Sequence, residues 1–72
     1  MANHIAEARD HDYKMTDGTI IPHVIEFRGY DYYLDTTYLD EDRARISAMQ
    51  HRRVGNRACV KSFGDWWSIY TR

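Results

Sequence analysis

The chain offers few side chains that could carry out covalent chemistry. Its 72 residues include one cysteine, Cys59, and four histidines. Cys59 shares no local motif with any histidine, so a small half-buried hydrophobe in a strand is the better interpretation than a nucleophile. A single cysteine allows no internal disulfide and is typical of a reducing compartment. We therefore expect a protein that is not an enzyme.

The histidines and carboxylates do not follow a metal-binding pattern either. His4 and His11 have no tight His/Asp/Glu spacing around them, and exposure to solvent explains them better than ligation. His23 falls on the apolar side of a predicted strand, where a hydrogen-bonded imidazole is expected. The run DEDR from Asp40 to Arg43 lacks the Asp/Asn/Gly rhythm of a calcium loop. The sequence predicts no metal and no cofactor.

Residue types suited to recognition gather near the end of the chain. If Gly64-Asp65 is a two-residue hairpin turn, strand alternation places Phe63 and Trp66 on one face. Tyr, Trp and Arg dominate interface hot spots, and aromatics beside cations can also stack nucleic-acid bases. The predicted partner-binding residues are Lys61, Phe63, Trp66, Tyr70, Arg57, Arg52 and Arg53. Two alternatives to an exposed strip are that the N-terminal segment folds over it or that the protein dimerises through it.

The charge is segregated along the chain although the formal net charge is only -1. Ten acids and three bases precede Arg43, a balance of -7, and from Arg43 onward seven bases and one acid give +6. Such a separation can orient a charged partner. An overall pI near 6.4 is well below that of typical nucleic-acid-binding domains, which favours protein over nucleic acid as the partner.

One segment, from Thr37 to Gly55, predicts a helix with clear end signals. Thr37 is the expected N-cap, acids fill the first turn and cations fill the last, as the helix dipole favours. Gly55 can adopt the left-handed conformation that ends a helix. At about 100° per residue Leu39, Ile46 and Met49 fall on one stripe, which we expect to pack on a sheet.

Two hairpins flank this helix. The predicted strands are Thr19–Phe27 and Tyr30–Thr36 around an Arg28-Gly29 turn, then Arg57–Phe63 and Trp66–Thr71 around Gly64-Asp65. The helix is expected to cover Ile21, Ile25, Phe27, Tyr32 and Leu34 of the first hairpin and Ala58, Val60, Trp67 and Ile69 of the second. The predicted fold is a two-layer α+β domain of order ββαββ.

The polar start of the chain shows no sustained hydrophobic period. We expect residues 1–18 to form a flexible N-terminal segment and residues 19–72 to form a single small domain. No apolar run approaches the roughly 20 residues of a membrane span, and the first residues are too polar for a signal peptide. The expected location is the cytoplasm, as a monomer or a weak homodimer.

The charged helix LDEDRARISAMQHRR and the aromatic ending FGDWWSIYT resemble the small host-takeover proteins of lytic phages. Within that group the chain is most similar in size and style to the RNA-polymerase-binding transcription regulator of a Xanthomonas phage. The resemblance implies binding to the large subunits of bacterial RNA polymerase, inhibition of initiation at host promoters, and antitermination. It assigns no residue roles. The alternatives are a single-stranded nucleic-acid-binding domain and a phage inhibitor of another host complex, such as a defence nuclease.

Overall fold

The structure is a computed structural model that describes residues 12–72. This part of the chain is α+β, with one helix and two antiparallel sheets. Its elements are β1 (Tyr13–Lys14), β2 (Ile20–Ile21), β3 (Val24–Phe27), β4 (Tyr30–Tyr38), α1 (Glu41–Arg53), β5 (Ala58–Phe63) and β6 (Trp66–Thr71). The helix within this part is too short and too polar to cross a membrane.

The four longer strands form one sheet in the order β3-β4-β6-β5, and β1 pairs with β2 in a separate hairpin. The two predicted hairpins therefore join through β4 and β6, with β3 and β5 at the edges. The α+β class is confirmed, but the predicted ββαββ layout is not. The first predicted strand is split at Pro22-His23, because proline has no N–H to donate to a ladder. The flexible segment stays a prediction: residues 1–11 lie outside the described part, and Tyr13–Lys14 form β1.

Both predicted hairpin turns are present, and each contains a glycine with the positive φ that its conformation requires. Arg28 and Gly29 have φ values of 55° and 83°, the two positive values that a type I′ turn requires. The register places Phe27 opposite Tyr30, as predicted. Gly64 has φ of 59°, and a Cβ there would approach Thr19 Oγ1 to 3.2 Å. The second turn therefore needs glycine both for its conformation and for the close passage of Thr19.

The helix begins later than the sequence predicts. Asp40, and not Thr37, is the N-cap, and its carboxylate accepts a hydrogen bond from the Asp42 amide at 2.9 Å. Thr37 belongs to β4, where its hydroxyl accepts from Ser68 Oγ at 3.0 Å and donates to the Trp67 carbonyl. Because Thr37 pairs with Ser68 of β6, it cannot cap the helix, and the helix starts after Asp40. The predicted stop at Gly55 is confirmed by its φ of 94° and by its N–H bond to the Arg52 carbonyl.

The helix packs on the sheet through its smallest residues. Ala44 and Ala48 are the buried residues of α1, whereas Leu39, Ile46 and Met49 are 63%, 54% and 48% exposed. The predicted packing stripe is therefore wrong. Alanine allows the helix backbone to approach the sheet closely, and Ile46 lies on the opposite side of the helix from that contact.

Two hydrophobic clusters occupy the two faces of the sheet. The helix-side cluster is built on Ala44, Ala48 and Ile69, with Tyr38, Ala58, Val60 and Trp67 packed around them. This confirms the predicted face of the second hairpin. The far-side cluster is built on Tyr32, Cys59 and Tyr70, with Ile25, Phe27, Leu34 and Phe63. The first-hairpin residues expected under the helix, Ile25, Phe27, Tyr32 and Leu34, pack in this far-side cluster instead.

Candidate protein-binding surface

The predicted aromatic strip lies on the far side of the sheet, but it is not an open surface. Tyr70 is completely buried, and its hydroxyl donates to the Pro22 carbonyl at 2.5 Å. The indole N–H of Trp66 donates to Asp17 Oδ2 at 3.0 Å. Asp17, at the end of the predicted N-terminal segment, and Pro22, directly after β2, thus contact this face. The expectation that Tyr70 is available to a partner is wrong.

The Asp17 carboxylate is a well-defined anchor for that contact. It accepts from the Thr19 amide at 2.9 Å as well as from Trp66. The hydrogen bonds from Thr19, followed by that from Trp66, lower the pKa of Asp17 from its ordinary value. The carboxylate therefore stays ionised and keeps the Met15–Gly18 turn attached to the sheet.

Of the other two members of the strip, Phe63 packs against the far-side cluster, and Lys61 contacts the Phe27 ring of that cluster. Phe63 meets Tyr70 edge-on, with ring centroids 6.3 Å apart. Lys61 Nζ lies 4.8 Å from the ring centroid of Phe27, although their strands are opposite edges of the sheet. The sheet is therefore curled so that its two edge strands, β3 and β5, come close together. The cation–π contact between Lys61 and Phe27 connects these two edges.

The three predicted arginines do not join the aromatic strip. Arg52 projects from the helix and donates to the Ala58 carbonyl through Nη2 at 2.8 Å and Nε at 3.3 Å. Arg53 and Arg57 are exposed near the end of α1 and before β5. The structure thus separates the predicted cations of the helix from the predicted aromatics by the thickness of the sheet.

Within residues 12–72, Cys59, His23 and His51 lie apart, each with its own neighbours. Burial raises the pKa of the Cys59 thiol, against the opposing charges of Lys61 and Arg52, so the thiol stays protonated at neutral pH. His51 Nε2 lies 3.0 Å from Asp35 Oδ2, and its Nδ1 lies 3.3 Å from Asn56 Nδ2. The contact with Asp35 joins the end of α1 to β4 where its register shifts between Leu34 and Thr36, and the two contacts engage both ring nitrogens.

His23 lies against the carboxylate of Asp12. Its backbone N–H donates to Asp12 Oδ1 at 3.3 Å, and its buried Nδ1 lies 3.7 Å from the same oxygen without a hydrogen bond. Within residues 12–72, no three His, Cys, Asp or Glu side chains are grouped so that they could hold a metal ion. His4 and His11 lie outside the described residues.

Alkaline pH is expected to destabilise the fold through the far-side cluster. Burial, and then the nearby charge of Asp12, raises the pKa of the Tyr70 phenol above its ordinary value of 10.0. Burial also raises the pKa of the Cys59 thiol above 9.0. Both groups hold their protons more tightly when folded, so their stabilisation is complete below about pH 9 and is lost as the pH rises further.

Urea unfolding at increasing pH provides the measurement. The free energy of unfolding should fall from about pH 9 upward, and Tyr70→Phe should flatten the part of the decline above about pH 10. A stability that stays constant between about pH 9 and 11 would contradict the burial of both groups.

The exposed apolar residues that sequence reasoning assigned to the core define a different surface. We call it the outer face of α1, and it comprises Arg43, Ile46, Met49, Gln50 and Arg53, all exposed. Arg45 and Arg52 border it on one side. Among residues 12–72, only Arg45 of these four arginines pairs with an acid, contacting Glu41 at 2.6 Å. The outer face of α1 is therefore apolar at its centre, with arginines along most of its border and the exposed Asp42 at its N-terminal end.

Beside this face, an open cleft of about 460 Å³ runs between the helix and the edge strand β5. We call it the α1–β5 cleft. Its lining residues are Arg45, Ala48, Met49, Arg52, Cys59, Val60 and Trp67. Arg52 is the one predicted binding residue that reaches it. The spacing of Ala44 and Ala48, four residues apart, is the sequence signal that could have identified the packed side of α1 and hence this cleft.

Comparison with protein-family models, with curated proteins and with solved structures finds no match to this chain.

Proposed function

We propose that this is a non-enzymatic protein-binding domain whose partner contacts the outer face of α1. The observation that carries the proposal is the exposure of Ile46 and Met49, each about half accessible, on a helix face bordered mostly by exposed arginines. Burying such apolar side chains against a partner would contribute roughly 25 cal/mol per Å². An apolar centre with a charged rim is the usual anatomy of a protein interface.

The charge of the surface indicates the chemistry of the partner. Arg43, Arg52 and Arg53 make no ion pair with any carboxylate in residues 12–72. Their guanidinium groups can therefore accept carboxylates from another protein in bidentate geometry. The partner we propose has an apolar patch surrounded by acidic residues.

For the identity of the partner, we propose the large subunits of bacterial RNA polymerase. This step depends on the resemblance to phage host-takeover proteins. The domain would then act in the cytoplasm of a bacterial host, inhibit initiation at host promoters and promote antitermination. A small rigid domain with one basic and apolar face is physically suited to occupy a surface that another factor needs.

The test compares two isoleucines of similar exposure on different surfaces. Ile46 is 54% exposed on α1, and Ile20 is 50% exposed on β2. Ile46→Asp should weaken binding to purified RNA polymerase by at least about 2 kcal/mol, roughly thirtyfold, whereas Ile20→Asp should have little effect. Surface plasmon resonance with immobilised polymerase measures both.

Two outcomes would count against the proposal. Equal losses for the two variants would mean that α1 is not the contact surface. Absence of polymerase binding, together with tight binding of single-stranded oligonucleotides that Trp66→Ala abolishes, would favour the nucleic-acid alternative instead. Oligonucleotide affinity in the nonspecific range of roughly 10⁻⁴ to 10⁻⁶ M is the result that the proposal expects.

A further inference from the structure

The outer edge of β5 carries backbone groups that no strand of residues 12–72 pairs with. Arg57 and Arg72 exchange both N–H···O bonds, which sets the alternation of the ladder between β5 and β6. In an antiparallel ladder the next residue on each strand faces away from its partner strand. Ala58, Val60 and Ser62 therefore direct their N–H and C=O groups outward.

One contact within the molecule confirms this direction. The Ala58 carbonyl accepts two hydrogen bonds from the Arg52 guanidinium, which lies on the outer side of β5. A side chain thus satisfies the first outward group of the edge. The outward groups of Val60 and Ser62 have no strand partner among residues 12–72, and sheet edges of this kind are templates for another strand.

The α1–β5 cleft lies directly beside this edge. Val60 contributes to both, because its side chain lines the cleft while its backbone faces outward. Met49 and Trp67 supply apolar walls of the cleft, and Arg45 and Arg52 also line it. Arg45 is paired with Glu41, whereas Arg52 contacts the Ala58 carbonyl and no carboxylate of residues 12–72. A strand laid along β5 would send alternate side chains into the cleft.

We propose that an extended acidic segment of a partner protein adds to β5 as a further strand. This inference rests on the proposed function, namely that the domain binds protein. The segment hydrogen-bonds to the outward groups of Val60 and Ser62. Its apolar side chains enter the α1–β5 cleft, and its carboxylates meet Arg45 and Arg52. Main-chain bonds supply affinity and the side-chain pockets supply specificity, as in other cases of strand addition.

The direct test uses short synthetic peptides and the unmodified protein. A peptide of alternating Glu and Val is the probe, and a peptide of alternating Lys and Val is its matched control. The acidic peptide should change the fluorescence of Trp67 and should slow hydrogen exchange at the amides of Val60 and Ser62. Equal binding of both peptides, or binding that leaves these two amides unprotected, would overturn the proposal.

Two substitutions sharpen the test. Ser62→Pro removes an outward N–H while leaving the hydrogen bonds between β5 and β6 intact. It should lower the affinity for the acidic peptide roughly three- to tenfold. Arg45→Glu should lower the affinity for the acidic peptide by about tenfold or more. Arg43→Glu makes the same charge change outside the cleft and should leave the affinity unchanged. If Arg43→Glu and Arg45→Glu act equally, the cleft is not the site.

The occupant and the proposed function can also be separated. Concentration-dependent dimerisation that protects Val60 and Ser62 without peptide would identify a second copy as the occupant and overturn the proposal. Polymerase binding that Ile46→Asp abolishes but Ser62→Pro leaves unchanged would retain the proposed function and reject strand addition. Peptide binding at β5 without any polymerase binding would support strand addition and reject polymerase as the partner.

Discussion

Replacing Ile69 with alanine is expected to lower the free energy of unfolding by about 2–5 kcal/mol. Ile69 is completely buried on β6, where the helix-side cluster joins Ala44 and Ala48 of the helix to the sheet. Truncation removes apolar contacts and leaves a cavity that a helix packed through alanines cannot easily fill. A loss of this size is a large fraction of the roughly 5–15 kcal/mol that stabilises a typical domain.

The matched control is Ile46→Ala, the same substitution on the outer face of α1. Because Ile46 is largely exposed, the change should alter stability by less than about 0.5 kcal/mol. Urea denaturation followed by circular dichroism measures both variants. If Ile46→Ala destabilises the protein as much as Ile69→Ala, the helix packs on the sheet through the stripe of Leu39, Ile46 and Met49 and not through Ala44 and Ala48.

Removal of the Tyr70 side chain should have the largest effect on the far-side cluster. Tyr70→Ala is expected to cost about 3–5 kcal/mol, as for other large core aromatics, and this could unfold so small a domain. Tyr70→Phe keeps the ring but leaves the partly buried Pro22 carbonyl without its donor, at a cost of about 0.5–1.5 kcal/mol. Tyr33, which is exposed on β4, provides the control, and Tyr33→Ala should be nearly neutral.

Hydrogen exchange adds a local measurement to this series. The Tyr70 hydroxyl connects the sheet to Pro22, which follows directly after β2. Tyr70→Phe should therefore accelerate exchange in the β1–β2 hairpin more than in β5 and β6. Uniform acceleration over the whole domain would mean that the hydroxyl does not specifically hold this hairpin.

These two clusters explain why the binding surface is expected on the helix and not on the aromatic strip. The strip stabilises the fold: Tyr70 and Phe63 form the far-side core, and Trp66 is engaged by Asp17. The residues left for a partner are those that the fold does not use. Ile46, Met49 and the arginines around them meet that condition, and the edge of β5, which pairs with no other strand among residues 12–72, lies next to them.

The sequence by itself determined the local structure wherever a short-range signal is strong. The Arg28-Gly29 and Gly64-Asp65 turns need positive φ, which glycine accepts, and the turns then set strand register and the faces of β5 and β6. Gly55 ended the helix for the same reason. The α+β class followed from these signals, because two hairpins and one amphipathic segment leave few other arrangements.

The tertiary structure decided which of several apolar surfaces is buried. Periodicity identified Leu39, Ile46 and Met49, but close packing selected Ala44 and Ala48, since the separation between helix and sheet depends on side-chain size. Thr37 could cap a helix or pair in a strand, and pairing with Ser68 decided between them. Whether Tyr70 is exposed depended on a contact with Pro22, 48 residues away in the chain. Long-range choices of this kind leave no signal in a local pattern, and they relocated the candidate site from the sheet to the helix.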